Sequence, residues 1–178
     1  SERSRGLGDV YKRQNLSFEV EELNLGDDFN EAASSHEIIM NGSIAKSLSQ
    51  YYKTEKEKLH PFTISRIEAG FPVSAKQYIE SIENAKKMQQ TLNKIFNKFD
   101  AIITPAAPGQ APRDLMNTGN AIFNGYWTMM GVPAISLPLL KGKDSLPIGV
   151  QIITSWNEDF KLLKIAEYIL QETKKLAD

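Results

Sequence analysis

Between residues 74 and 99 apolar side chains recur at three- and four-residue steps: Ala75, Tyr78, Ile79, Ile82, Ala85, Met88, Leu92, Ile95, Phe96 and Phe99. That spacing predicts one buried face of a long helix. Ser74-Ala75-Lys76-Gln77 opens it as a capping box, in which a hydroxyl and a carboxamide satisfy free amide donors. Lys86, Lys87, Lys94 and Lys98 lie toward its C-terminal half, where the helix dipole favours cations. The pattern then changes. Asp100-Ala101-Ile102-Ile103-Thr104-Pro105 is a short continuous apolar run ending in proline, which predicts a buried strand. A helix that runs directly into such a strand points to an α/β class.

Upstream, Phe18, Val20 and Leu23 alternate with polar residues, predicting a half-buried strand over 17–25. Gly26-Asp27-Asp28 turns the chain, and Asn30 is placed to cap a helix entering at Glu31. Ala33, Met40, Ile44, Leu48, Tyr51 and Tyr52 form its stripe; the charges of 53–58 end it, and His60-Pro61 breaks it. Downstream, 106–119 reads as a long proline- and glycine-containing loop, a length that in compact domains often goes with function. Residues 121–130 are apolar all round, as in a buried or cavity-lining helix. Strands are expected over 133–138 and 147–153. Asn157 is placed to cap a last helix whose buried face is Leu162, Leu163, Ala166, Ile169, Leu170 and Thr173.

Composition narrows the function classes. The 178 residues are 41% hydrophobic and 24% charged, with a formal net charge of −1, which suits one soluble globular domain or part of one. The charge balance gives no field for a polyanion, so no nucleic-acid partner is expected. There is no cysteine, which excludes disulfides, thiolate nucleophiles and Cys-ligated zinc; His36 and His60 have no partner at ligand spacing, so no metal is expected. The nearly apolar run 131–140 is too short to cross a bilayer, and no signal peptide opens the chain, so a cytoplasmic protein with no membrane partner is expected. G-x-S-x-G, H-E-x-x-H and a phosphate-cradling glycine loop are all missing. Ser34-Ser35 reads as a capping or surface pair, and His36 as a partly buried structural histidine. The sequons at Asn15 and Asn41 carry little weight without a secretory signal. Composition and spacing alone yield an α/β domain without a visible active site.

Two resemblances extend this. Asp9-Val10-Tyr11-Lys12-Arg13-Gln14 resembles one reading frame of a transposon adapter used in sequencing libraries, so 1–14 is expected to be a non-native leader and 15–178 the native part. The second resemblance covers nearly everything from Asn15 onward. Asp100 to Pro105, Pro108 to Pro112, Phe123-Asn124-Gly125-Tyr126-Trp127-Thr128, Gly131-Val132-Pro133-Ala134-Ile135-Ser136-Leu137-Pro138, Leu146-Pro147-Ile148-Gly149-Val150-Gln151 and Asp159 occur in order. With His36 to Met40 and Ser74 to Tyr78 upstream, the series resembles the C-terminal region of the amidase signature family.

That resemblance implies an α/β/α sandwich around a mixed sheet, of which 15–178 is the C-terminal portion of a single domain. It implies hydrolysis of carboxylic amide C–N bonds through a Ser–cis-Ser–Lys arrangement, without a cofactor, on a small-molecule amide. One serine attacks the carbonyl, the second relays its proton, and a buried lysine, kept neutral by desolvation, acts as base. Those groups lie in the family's N-terminal half. This chain has no Gly-Gly-Ser-Ser-Gly run, so it is expected to hold no catalytic residue and to be inactive alone. The matching region supplies one wall of the acyl-side pocket, for which Phe123 and Trp127 are the candidates; plain core packing is their other reading. Gly131, Pro133, Pro138, Pro147, Gly149 and Gln151 read as fold determinants.

A homodimer is the assembly that the resemblance makes reasonable. Two alternatives stay open: the glutaminase subunit of a tRNA-dependent amidotransferase, and a non-catalytic α/β binding module. Against the first, Ala121 occupies the position where those subunits carry an aspartate for the substrate's ammonium, and the loop after Pro105 lacks their phenylalanine.

Overall fold

The computed structural model of the chain describes residues 17–114, 116–142 and 144–175. The expectation of a foreign leader over 1–14, and the sequon asparagine at 15, lie outside the described residues. Eight longer elements follow in order: α1 (Ala32–Thr54), α2 (Pro61–Gly70), α3 (Ala75–Phe96), β1 (Ile102–Pro105), α4 (Ile122–Met130), β2 (Ala134–Lys141), β3 (Pro147–Ile153) and α5 (Asp159–Lys175). They sort into two compact units, each assembled from non-contiguous segments. A sheet unit takes Ser1–Asn24, Ala101–Asn120 and Pro133–Asp178; a helical unit takes Leu25–Asp100 and Ala121–Val132. No helix among the described residues is long and apolar enough to cross a membrane.

In the sheet unit the strand order is β1-β3-β2, and both pairings are antiparallel. Ile152 stands opposite Ile103 on one side and Ile135 on the other. Directly opposed residues share a face, so Ile152 and Leu137 are covered by Leu162, Ala166 and Ile169 of α5. Ile152 has no exposed surface. The opposite face carries Ile102, Ile153 and Gln151, all buried. The strand expected over 17–25 does not form. Only its Phe18 packs on the α5 cluster, while Val20 is exposed, so the alternation in the sequence has no ladder to support it. Ser17 Oγ instead bonds Tyr168 Oη at 2.6 Å and donates to the Glu172 carboxylate. Asn157 lies two residues ahead of α5 with φ of 62°, so it supplies a left-handed turn rather than the cap.

In the helical unit α1 packs on α2, α3 and α4. Its buried residues are Ala32, Ser35, Asn41 and Ala45, not the larger stripe expected from hydropathy. Small side chains let the helix backbones approach closely, and the bulkier Ile38, Ile39, Met40, Ile44 and Leu48 are left half-buried on the flanks. Asn30 does not cap α1; its amide donates to Asp27, and Ser34 Oγ holds the Glu31 carboxylate at 2.7 Å. The break expected at His60-Pro61 is a helix start. Proline suits the first helical position because the missing donor there would have no partner, and the His60 ring accepts from the Phe62 amide.

The capping box at Ser74 is complete, with both reciprocal bonds to Gln77 formed. Along α3, Ala85, Met88 and Leu92 are buried as the periodicity requires, whereas Ile79 is exposed and Ser81 is buried in its place. At the other end of the unit α4 closes in a Schellman turn. Gly131 sits at φ 67°, the Val132 amide donates to Trp127 O, and the Gly131 amide donates to Thr128 O. Gln89 of α3 donates to the Met130 carbonyl at 3.1 Å, so that helix end is held from the side as well.

Ser74→Ala removes one half of the capping box and is expected to cost about 1 kcal/mol. Gly131→Ala forces a Cβ into the left-handed region and is expected to cost about 1–2 kcal/mol. Urea unfolding followed by far-UV circular dichroism checks both, and equal midpoints for the three proteins would sink this account of the two helix ends.

Candidate functional site

The expected pocket-wall residues stand one turn apart on α4. Phe123 is half-buried and Trp127 is 5% exposed, so Trp127 presents almost no surface within this chain. The helix does not bury its whole circumference, since Ile122 and Thr128 face outward while Met130 is enclosed.

Between the two aromatics lies Gly125, and the His36 ring of α1 rests on it. A Cβ at Gly125 would meet His36 Cε1 at 2.7 Å and both ring nitrogens at 2.9 Å. Three ring atoms at nearly one distance mean that the imidazole lies with its face against the glycine. The bare backbone makes the notch, and the ring fills it. Burial holds the His36 pKa below its ordinary value; nearby Glu37 opposes that shift and Arg66 adds to it. Hence His36 is the partly buried structural histidine that the sequence suggested, set beside the candidate wall.

Ser34 serves the start of α1, and Ser35, 2% exposed, takes a hydrogen bond from Asn84 of α3 at 3.4 Å. Asn41 of the second sequon is buried and accepts from Arg66 at 3.4 Å, a setting that leaves no room for a glycan. Among the described residues no three His, Cys, Asp or Glu side chains converge to hold a metal ion.

A groove that sequence reading missed runs along α1 and the start of α3, with a volume of about 790 Å³. Gly42, Ser43, Phe71, Val73, Tyr78 and Ile79 are among its lining residues, and Ser43 Oγ meets Tyr78 Oη at 3.1 Å. Its only sequence signal was the small-residue step Gly42-Ser43 within a long helix.

In the sheet unit β1 ends at Pro105, and the ladder is prolonged by one bond from the Ala106 amide to Gly149 O at 3.0 Å. The loop 106–119 therefore leaves the sheet at the end where the β2–β3 hairpin turns, since Pro105 pairs with Val150 and Lys141 with Pro147.

A family model described as Amidase matches residues 18–163. The A-type subunit of glutamyl-tRNA(Gln) amidotransferase from Clostridium botulinum is 31% identical over 144 residues, covering 74% of this chain and 30% of that protein. Its counterpart from Koribacter versatilis is 28% identical over 138 residues, covering 70% of this chain and 29% of that protein. Among solved structures, an amidase superposes with a TM-score of 0.80 at 21% identity, over 94% of this chain and 40% of that one. A 6-aminohexanoate cyclic dimer hydrolase, complexed with substrate, gives 0.70 at 19% over 95% and 40%. Fatty acid amide hydrolase gives 0.75 at 14% over 95% and 36%. These structures share the fold. The chain spans about a third of the curated relatives' length, between 29% and 30% of the two named.

The His36 shift has a definite sign. Its folded pKa lies below the ordinary 6.5, so the unfolded chain takes up a proton first as pH falls. Stability contributed by the neutral ring is complete above that value and is lost as pH drops through it toward the folded pKa. Urea midpoints are expected to fall from about pH 8 to about pH 5.5, and His36→Gln to flatten part of that slope. An identical slope in the variant would remove His36 from the account.

Proposed function

The chain belongs to the amidase signature family, and on that premise we propose that it is the C-terminal portion of an enzyme hydrolysing carboxylic amide C–N bonds in small molecules. The supporting observation is that the family match runs from Phe18 to Leu163 while the chain covers only about 40% of a superposed amidase structure. The nucleophilic serine, the relaying serine and the neutral lysine base are then contributed by the rest of the protein. Attack on the carbonyl would give a tetrahedral oxyanion held by backbone amides, amine would leave with the relayed proton, and water would cleave the acyl-enzyme.

In this reading the residues present here build the acyl side. We assign Phe123 to the pocket wall, with Trp127 packed behind it. In the sheet unit, the long loop after β1 is assigned to the substrate side of the complete enzyme, because long loops carried by a packed scaffold are where binding residues concentrate. The complete protein would act in the cytoplasm as a homodimer, an assembly that its sedimentation would test.

A second reading has a specific observation in its favour: the curated relatives named above belong to amidotransferases. Ala121 argues against it, because a methyl cannot pair with the ammonium of a glutamine substrate. The loop after Pro105 points the same way.

The 178-residue chain is expected to hydrolyse no amide by itself. The complete protein is expected to release ammonia or amine from simple aliphatic or aryl amides without a partner protein. Glutamine-dependent activity that appears only with a partner would transfer the assignment to the second reading, and inactivity on amides, esters and ureas would end both. In the complete enzyme Phe123→Ala is expected to lower kcat/KM about tenfold, mainly through KM. Trp127→Ala is expected instead to cost about 3 kcal/mol or more of stability in thermal unfolding.

A further inference from the structure

The loop after β1 is fastened to the β2–β3 hairpin at Asp144, which Gln110 and Arg113 of the loop both reach. Gln110 Nε2 donates to the Asp144 carboxylate, and Gln110 Oε1 accepts from the Asp144 backbone amide at 3.3 Å. Arg113, three residues further along the loop, donates to the other carboxylate oxygen of Asp144 at 2.7 Å. Asp144 thus takes one bond on each oxygen from the loop and returns one from its backbone, and its side chain is only 25% exposed.

The partner surface is cut to fit. A Cβ at Gly142 would overlap Gln110 Oε1 and would also meet Gln110 Cδ at 2.9 Å and Cβ at 3.0 Å. The overlap extends back to the root of the side chain, so rotation about its far end would not relieve it. The hairpin turn is itself closed, by Gly142 N to Leu146 O at 2.8 Å and Ser145 N to Gly142 O at 3.0 Å. The loop is therefore tied to the hairpin turn at Gln110 and Arg113, and to β3 at Ala106.

We propose that Gln110 is a positioning residue: through Asp144 it holds the loop that follows β1 in one arrangement, and that loop borders the amide-substrate site of the complete enzyme. The second half of this statement rests on the amidase reading above, whereas the clasp does not. A carboxamide is suited to the task because it donates and accepts at once, matching a carboxylate and a backbone amide on the same residue. Hydrogen bonds to a charged acceptor in a partly covered setting are also the stronger kind.

The test uses the complete protein and two readouts. Gln110→Ala is expected to speed amide hydrogen exchange in 107–119 about tenfold, as losing bonds to a charged acceptor should, while α5 keeps its protection. The same variant is expected to raise KM several-fold with kcat nearly unchanged. Gln110→Glu sets a second carboxylate against Asp144 and should reproduce both effects. Adding Asp144→Asn to Gln110→Glu restores a donor facing the introduced carboxylate, and is expected to recover protection and KM together.

Unchanged exchange in Gln110→Ala, or no recovery in the double variant, would overturn the clasp. A loosened loop with unchanged KM would overturn its place beside the substrate. If the unsubstituted complete protein hydrolyses no amide, the amidase reading and the substrate half fall together, and the exchange ratios alone decide the clasp.

Discussion

Because β3 hydrogen-bonds to β1 on one side and to β2 on the other, the sheet unit has no arrangement without it. β1 is four residues long, and among the described residues the strand it pairs with is β3. The covering helix α5 meets the sheet through Ile152 and Leu137, one on β3 and one on the strand directly beside it. Ile152 is thus where the ladder and the apolar core coincide, and truncating it would weaken both at once. The hairpin turn that receives Gln110 is the entrance to the same strand, so the loop after β1 inherits its geometry from β3 as well.

Much of this was legible in the sequence wherever one local signal and one periodic signal agreed. Ser74 with Gln77 marked a helix start that the apolar steps of α3 then supported, and 147–153 was bounded correctly because a proline opens it and a short apolar run fills it. Errors came where a residue has two physical meanings. Pro61 both ends and begins helices, and here it begins α2. On α1 hydropathy marked the bulky residues, but closely packed helices bury the small ones, so the stripe was displaced to Ala32, Ser35, Asn41 and Ala45. The alternation of Phe18, Val20 and Leu23 was real, yet a strand also needs a neighbour to pair with.

The site was less legible than the fold for a related reason. Phe123 and Trp127 announced themselves as large aromatics one turn apart, but aromatic spacing cannot distinguish a wall from a core; the fold buries Trp127 and leaves Phe123 half-buried. The His36–Gly125 contact joins residues far apart in the chain, and the Gln110–Asp144 clasp joins residues with no shared period. Sequence patterns record which face of an element is apolar. They do not record which polar side chain reaches across a turn, and loop anchors are made of such contacts.

The interleaving of the two units has a consequence for synthesis. Ribosomes extend the chain at about 5–20 residues per second, so β1 leaves the exit tunnel a few seconds before β3. During that interval the strand with which Ile102 and Ile103 pair in this structure has not emerged, and α4, which belongs to the other unit, is made between the two. The helical unit can gather most of its residues first, from Leu25 to Asp100, while the sheet unit must wait for its last strand. Slowing elongation between 106 and 146 would lengthen the time for which β1 waits for β3, with its strand edge open to other chains.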